Sequence, residues 1–255
     1  MSSRSNGGGI RSDVKLLSII EELAELHRAG VTTLSDRLDM PKSTVHAHLQ
    51  TLHDEEYVVN EDGQYRLGLK HLYLGTVVRD RIPGYRFIKE KVDELAQTTG
   101  ERAQFIVEDH GHGVYVYRAV GPNAVETDSG TGNRVPLNAI SAGKAILAFM
   151  PRERVEAILS DVGLPDRTDN TITDADEFWR VLEEIRADGY AHNYEESTAG
   201  LRAVGVPVLK PDEEVIGAIS VSGPSNRLRG ERIEQEIPNE ILGVVNEIEL
   251  NIRFS

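Results

Sequence analysis

Residues 38–67, LDMPKSTVHAHLQTLHDEEYVVNEDGQYRL, decide the fold of the first part of this chain. After Pro41, a residue suited to the first turn of a helix, apolar side chains recur at helical spacing at Val45, Leu49 and Leu52. Two short strand-like runs then flank Asp62-Gly63, a dipeptide typical of a tight hairpin turn. A helix with a polar outer face followed directly by a hairpin predicts a winged helix-turn-helix.

Two further helices are predicted before this segment. The first runs from Val14 to Leu26, where apolar residues recur every three or four positions. The second follows Gly30, with Thr32 as its expected cap, and ends near Asp39. Together with the helix after Pro41 they predict a three-helix DNA-binding unit.

The exposed side of the third helix carries small polar groups and a lysine, which suit a major groove. Gln50 matches the side chains that recognise adenine, whereas Lys42, Ser43 and Thr44 suit phosphate contacts. Arg66 on the hairpin is a further candidate for backbone contact. The predicted DNA-contact residues are Lys42, Ser43, Thr44, His46, Gln50, Thr51 and Arg66. The alternative is a three-helix bundle whose polar face and hairpin arginine are merely solvated.

The negative net charge of the chain is unfavourable for DNA binding. The formal net charge is −14, and only 7 of the 28 basic residues are lysine. Residues 11–80 hold 8 basic and 12 acidic side chains, and residues 81–255 hold 19 and 30, so both parts are acidic. We interpret this composition as that of a protein from a salt-loving cytoplasm, where molar salt screens repulsion from DNA. A merely acidic mesophilic protein is the alternative.

Composition also excludes several classes. With no cysteine there is no disulfide, thiolate metal site or cysteine nucleophile. No apolar run approaches the roughly 20 residues that cross a bilayer, and the polar start has no export signal, so a cytoplasmic protein without membrane contact is expected.

The rest of the chain mixes helices and strands. A linker helix is predicted within residues 69–82, and an amphipathic helix from Phe87 to Ala96 opens a larger domain. Strand-like runs lie at 103–107, 114–118, 124–128, 203–209 and 215–222, and helical stretches at 141–150, 152–160, 174–188 and 231–253. The fold class is therefore α+β, with an antiparallel sheet flanked by helices in the larger domain. The predicted division is a disordered tail (1–10), a winged helix-turn-helix (11–68), the linker (69–82) and the large domain (83–255).

Four stretches resemble the IclR family of prokaryotic regulators. They are GYAHNYEESTAGLRAVGVPV (189–208), AISVSGP (218–224), PLNAISAGKAILA (136–148) and LDMPKSTVH (38–46). The resemblance spans nearly the whole chain in the expected order. It implies a winged helix-turn-helix that binds double-stranded promoter DNA, a linker helix that pairs subunits, and a GAF-like effector domain, assembled as dimers or as tetramers made of dimers.

Three positions depart from the family pattern. The chain has Ala47 where the family usually has arginine, His48 where it has leucine, and Asp39 where it has glycine. Loss of the arginine weakens the electrostatic hold on DNA, so the operator preference of relatives does not transfer. Asp39 still turns the chain, because aspartate tolerates left-handed backbone better than most residues.

The resemblance also implies an effector site. Its predicted residues are Ser141, Ala142, Gly143, Asn193, Ala203, Ser220 and Ser222. A helix start offers backbone amides to a carboxylate, and the two serines share one face of a strand. We therefore expect a small organic acid or a sugar-derived metabolite, without a cofactor. The alternative is that these are ordinary turn and strand residues.

Motifs for enzyme chemistry fail on inspection. The stretch from Ser141 to Lys144 lacks the serine or threonine and the leading glycine of a phosphate-binding loop. Gly130-Thr131-Gly132 lacks the third glycine of a dinucleotide site, and no Gly-x-Ser-x-Gly elbow occurs. Asp109 to His112 is the densest group of metal-ligand types, with His192 as a possible neighbour, but a hairpin turn explains it better.

The sequence thus predicts a ligand-responsive repressor or activator of metabolic, mainly catabolic, genes. In the expected mechanism the ligand favours one of two arrangements, and the linker helices change the spacing of the DNA-binding helices. A ligand-binding protein whose winged helix binds protein, and an enzyme with an accessory helix-turn-helix, are the alternatives.

Overall fold

The structure is a computed structural model that describes residues 10–125 and 130–254. It divides into two compact units, of which the first ends at Asp80 and the second begins at Arg81. The tail predicted for residues 1–10 lies, apart from Ile10, outside the described residues. In the described ranges, no helix is long and apolar enough to cross a membrane.

The first unit is a winged helix-turn-helix followed by one more helix, as predicted. Its elements are α1 (Arg11–Leu26), β1 (Ala29–Gly30), α2 (Val31–Leu38), α3 (Lys42–Asp54), β2 (Val58–Glu61), β3 (Gln64–Leu67) and α4 (Lys70–Arg79). The strands form an antiparallel sheet in the order β1-β3-β2. Its core packs the apolar stripes of the three helices against the hairpin, chiefly through Ile19, Leu23, Leu34, Val45 and Leu49.

Left-handed residues set the turns of this unit. Asp39 ends α2 at φ 50° and ψ 48°, which confirms that aspartate replaces the expected glycine without breaking the turn. Asp62 and Gly63 both have positive φ, so they form the predicted tight turn between β2 and β3. The expected cap of α2 is wrong: the helix starts at Val31 with Gly30 at the N-cap, which places Thr32 inside the first turn.

The second unit is built on one antiparallel sheet. Its helices are α5 (Tyr85–Thr99), α6 (Ser141–Phe149), α7 (Arg152–Val162), α8 (Ala175–Asp188) and α9 (Ile237–Phe254). Its strands are β4 (Arg102–Asp109), β5 (His112–Val120), β6 (Arg134–Pro136), β7 (Ala191–Tyr194), β8 (Leu201–Leu209) and β9 (Val215–Pro224). The strands pair in the order β6-β5-β4-β9-β8-β7, with each neighbour antiparallel.

Helices cover both faces of this sheet because successive strand residues point to opposite sides. Phe105 on β4 and Ile219 on β9 face the core formed with α5 and α9. The alternate residues Ile106 and Ala218 face the core formed with α6 and α8. The predicted α+β architecture with helices around an antiparallel sheet is therefore confirmed.

Two predicted segments differ in the structure. Of the strand expected at 124–128, Ala124 and Val125 lie in no strand and the other positions lie outside the described residues. The long last helix begins with a π-helical turn at Arg232–Glu236 before α9. Such turns insert an extra residue and are often found near functional sites.

Candidate functional site: an exposed recognition helix and a polar cavity

The first candidate site is the outer face of α3. Val45, Leu49 and Leu52 are buried, and this fixes the opposite side of the helix toward solvent. Six predicted DNA-contact residues lie on α3, with Thr44 half-buried and the others exposed: Lys42, Ser43, Thr44, His46, Gln50 and Thr51. His48 is half-buried, as expected of a residue beside the apolar stripe.

Two of these side chains have partners within the helix. Gln50 donates from Nε2 to Oδ1 of Asp54 at 2.8 Å. Thr51 donates from its hydroxyl to the carbonyl of Ala47 at 3.2 Å, a bond that turns it partly back onto the helix. Base recognition by Gln50 therefore requires it to leave Asp54.

The hairpin that forms the wing carries Arg66, which is paired within the wing. Its Nη2 lies 2.7 Å from Oε1 of Glu61, and this hydrogen bond lowers the pKa of the glutamate. The sequence analysis missed a further basic residue, Lys70, which donates to the carbonyl of Glu55 at 2.8 Å and lies over the ring of Tyr57. Its contacts tie the start of α4 to the connection between α3 and β2.

The second candidate site is a cavity of about 680 Å³ in the large unit. The floor of the cavity is the face of the sheet against which α6 packs. Five predicted effector residues line it: Ser141, Asn193, Ala203, Ser220 and Ser222. The strand register explains why they meet, since Asn193 pairs with Ala203 and Ala203 pairs with Ser222 in one row across β7, β8 and β9.

Ala142 and Gly143 do not line the cavity, contrary to the expectation. Both are buried in the packing of the first turn of α6. A Cβ on Gly205 of β8 would lie 2.6 Å from the nitrogen of Ala142, and a Cβ on Gly143 would lie 2.2 Å from the carbonyl oxygen of Leu137. The backbone of this helix start is therefore covered by its neighbours, which limits its access to a ligand.

The sequence analysis missed two polar residues of β4 that line the cavity, Arg102 and Gln104. Arg102 pairs with Ser222 and Gln104 pairs with Ser220, so β4 extends the same polar rows. Gln104 donates from Nε2 to Oγ of Ser222 at 2.9 Å. The alternation of Arg102, Gln104 and Ile106 on one face of a strand was the available signal.

Arginines dominate the charge of the described lining. Burial lowers the pKa of Arg102, and the positive charge of Arg118 lowers it further. Arg134 and Arg167 also line the cavity, and Arg134 lies 3.0 Å from the carboxylate of Asp109. Burial raises the pKa of the Tyr115 phenol, which stays protonated at neutral pH as a hydrogen-bond donor. Among the described lining residues there is no aspartate or glutamate.

A buried polar network lies behind the cavity. Lys144 of α6 lies 2.6 and 2.5 Å from the two carboxylate oxygens of Glu196, and their side chains are only 3% and 7% exposed. Burial lowers the pKa of Lys144, and the glutamate opposes this effect. Asn193 uses both ends of its amide here, donating to the carbonyl of Ala139 and accepting from the backbone of Glu196. It therefore positions the wall of the cavity rather than presenting free polar atoms.

The cluster from Asp109 to His112 forms the tight turn between β4 and β5, with His110 and Gly111 at positive φ. His192 does not reach the cavity lining; its Nε2 contacts the carbonyl of Ile233 on the other side of β7. Across the described residues, no group of three histidine, cysteine or carboxylate side chains is placed to hold a metal ion.

Comparisons with known proteins agree with this architecture. Residues 14–62 match the family model described as IclR helix-turn-helix domain, and residues 82–250 match the one described as Bacterial transcriptional regulator IclR C-terminal. Among curated relatives, "Probable HTH-type transcriptional regulator ArcR" of Halobacterium salinarum is 30% identical over 95% of this chain and 94% of its own. HTH-type transcriptional regulator KdgR of Escherichia coli is 32% identical over 89% and 88%.

Solved structures share the fold over nearly the whole chain. The crystal structure of the Thermotoga maritima IclR superposes with a TM-score of 0.81 at 27% identity, covering 96% of this chain and 99% of the other. An IclR homolog of Microbacterium hydrocarbonoxydans, crystallised with 4-hydroxybenzoate, gives a TM-score of 0.82 at 22% identity and covers 96% and 98%. The named relatives are transcriptional regulators and not enzymes.

Proposed function

The chain belongs to the IclR family of DNA-binding transcriptional regulators with a ligand-binding C-terminal domain, and on that premise we propose what it responds to and controls. It regulates metabolic, mainly catabolic, genes in response to a small organic acid, including acids derived from sugars. The observation that carries this proposal is the described lining of the cavity, which holds three arginines and no carboxylate.

The chemistry of the cavity supports an acid as effector. Positive charge and hydroxyl donors in a partly enclosed site stabilise an anion more strongly than they do in water, because the local dielectric is lower. Ile106, Val135, Pro136 and Ile140 supply apolar surface for the body of the ligand. A cavity of about 680 Å³ has the size of a small-molecule site. The Microbacterium homolog with 4-hydroxybenzoate is an example of this fold holding a carboxylic acid.

The exposed face of α3 is the proposed DNA contact. In the free protein Gln50 is bonded to Asp54 and Arg66 to Glu61, and both bonds are solvent-exposed and weak enough to exchange for DNA. Lys42 at the start of α3 is exposed and suits a phosphate. Ser43, Thr44, His46 and Thr51 complete the proposed contact surface.

An assembly of at least two chains is part of the proposal. Helix α4 buries none of its residues within the chain, although it carries several large apolar side chains. The most exposed of them are Leu72, Tyr73 and Val78, and the exposed Leu69 directly precedes the helix. Unpaired apolar surface of this kind marks an interaction site, and a second copy of α4 covers it in a dimer or a dimer of dimers. Two DNA-binding units then bind two half-sites on promoter DNA in the cytoplasm.

Chromosome mapping tests the regulatory role. The tagged protein is mapped across its own genome in cells grown on different organic acids and sugars. Peaks upstream of catabolic genes that change with one carbon source support the proposal. A profile without peaks in every condition contradicts it and favours a winged helix that binds protein.

Paired substitutions test the DNA-contact face. Gln50→Ala is expected to relax the preference at one base position, whereas Lys42→Ala weakens binding to every sequence alike and reduces its salt dependence. Selection of binding sites from random duplexes at several salt concentrations measures both effects. Equal weakening of all sequences by the two variants contradicts base recognition by Gln50.

A further inference from the structure

Within the described lining, one part of the cavity is basic. Arg102 lies in a cross-strand row with Asn193, Ala203 and Ser222 on β7, β8 and β9. Neighbouring strands are about 4.8 Å apart, so Asn193 and Arg102 are separated by roughly 14 Å across the cavity floor. The side chain of Arg102 belongs to the lining although the residue is only 4% exposed.

Hydrogen-bond donors surround this part of the cavity. Gln104 donates to Oγ of Ser222, and the hydroxyl of Ser222 has a proton of its own that it can donate to a ligand. Ser220 lies opposite Gln104 in the next row and lines the cavity as well. A guanidinium with adjacent hydroxyl donors is a set that recognises a carboxylate.

The other polar places are less suited to an anion. In the first turn of α6, a natural candidate, Gly205 and Leu137 cover Ala142 and Gly143, although Ser141 lines the cavity. Asn193 has its amide oxygen and nitrogen bonded to the backbone of Glu196 and Ala139.

A second positive charge strengthens the basic part of the cavity. Arg118 on β5 is the cross-strand partner of Gln104. Gln104 lies two residues after Arg102 on β4. The two arginines are close enough for the charge of one to lower the pKa of the other. An anion placed between the sheet and α6 in this part interacts favourably with both.

We propose that Arg102 binds the carboxylate of the effector, with Ser222 as a second donor, and that this contact gives the cavity its preference for acids over the matching amides. This inference rests on the proposed function, since it assigns the head group of the same effector. The body of the ligand then extends along β4 toward Ile106 and Tyr115.

The test uses the full-length protein and three acid–amide pairs: benzoate with benzamide, lactate with lactamide, and gluconate with gluconamide. Thermal shift identifies which acids stabilise the wild type, and calorimetry measures the dissociation constants. We expect at least one acid to bind and its amide to bind at least tenfold more weakly. Arg102→Met should weaken the acid by about 10- to 100-fold, the loss of a charge-assisted contact, and Arg102→Lys by less.

Controls separate this contact from general effects. Arg180→Met removes an exposed arginine of α8 that is not one of the cavity residues and should change the dissociation constant by less than about threefold. The circular dichroism spectrum and the melting temperature without ligand establish that each variant is folded. If Arg102→Met fails to fold, Arg102→Lys and Arg102→Gln carry the comparison.

The outcomes distinguish the head-group assignment from the proposed function. An acid that binds the wild type and Arg102→Met equally overturns the assignment and leaves the acid effector in place. Equal losses in Arg102→Met and Arg180→Met also overturn it, because binding then follows the total charge of the protein. Amides that bind as well as acids, or six probes that all fail to bind, overturn both the assignment and the proposed effector class.

Discussion

The ion pair between Lys144 and Glu196 gives the sharpest prediction for stability. Both side chains are almost fully buried, and two short contacts join them. Lys144→Met retains most of the aliphatic stem but leaves the carboxylate of Glu196 buried without its counter-charge. Breaking a buried pair in this way costs about 3–5 kcal/mol. The total stability of a domain is about 5–15 kcal/mol, so the variant should lose a large part of it.

A second substitution should restore most of the lost stability. In the double variant Lys144→Met with Glu196→Gln, no buried charge remains, and the glutamine oxygen still accepts from the backbone of Tyr194, as Glu196 does at 3.2 Å. We expect the double variant to recover most of the loss, which corresponds to a coupling energy of about 2–3 kcal/mol. An additive loss in the double variant would refute the reasoning.

Urea unfolding followed by tryptophan fluorescence is the assay. Trp179 is the single tryptophan of the chain and packs in α8 against the same core as α6, so its signal reports on the large unit. Lys210→Met is the matched control, because Lys210 lies 2.5 Å from Glu214 in an exposed pair. It should leave the unfolding midpoint almost unchanged. If Lys144→Met shifts the midpoint no further than this control, the buried pair does not hold α6 to the cavity wall.

Four other substitutions follow from the backbone and from burial. Asp39→Gly should raise the free energy of unfolding by about 1 kcal/mol, measured by thermal denaturation, because glycine adopts the left-handed conformation without strain. Gly205→Ala should lower the free energy of unfolding by about 1–3 kcal/mol in the same assay, because its Cβ would collide with the start of α6. Gly243→Ala on the exposed side of α9 should raise it by about 0.5–1 kcal/mol. A change of the same sign in both variants would contradict the packing argument. Burial and the charge of Glu236 raise the pKa of Glu240 above 4.5, so the folded state holds its proton more tightly than the unfolded chain. The stability that this proton provides is lost as pH rises, and Glu240→Gln should therefore be more stable than the wild type at pH 7 but equal to it below about pH 4.5 in urea titrations.

The sequence predicted the winged helix-turn-helix well because its determinants are local. The buried stripe of α3 lies within 13 residues, and the turn at Asp62-Gly63 depends on two adjacent residues. Cap positions are harder to place from sequence, as the misplaced cap of α2 at Thr32 illustrates. Glycine and threonine both occur at N-caps, so sequence alone does not decide between Gly30 and Thr32.

The cavity was harder to predict because it depends on pairing between distant strands. Ser220 and Ser222 were found from their spacing along β9, but their partners on β4 lie more than 100 residues earlier in the chain. Arg102 stood just before the predicted strand, and only the register places it opposite Ser222. Likewise, the start of α6 was predicted at Ser141, yet nothing local indicates that Gly205 covers it.

The acidic surface and DNA binding are compatible once charge is considered locally. From Lys42 to Thr51, α3 contains a lysine and two histidines and no carboxylate. Its first acidic residue is Asp54 at the far end, where the carboxylate accepts the amide of Gln50. Screening shortens the reach of charge to about 3 Å in molar salt, so the carboxylates elsewhere repel DNA weakly there while direct contacts persist. The same screening weakens phosphate attraction, and Ala47 supplies no charge for a phosphate contact. Under the proposed pairing of two chains, affinity in such salt comes from close polar contacts of the α3 face and from two linked DNA-binding units. The proposal therefore makes the exposed apolar side of α4 as important for DNA binding as α3.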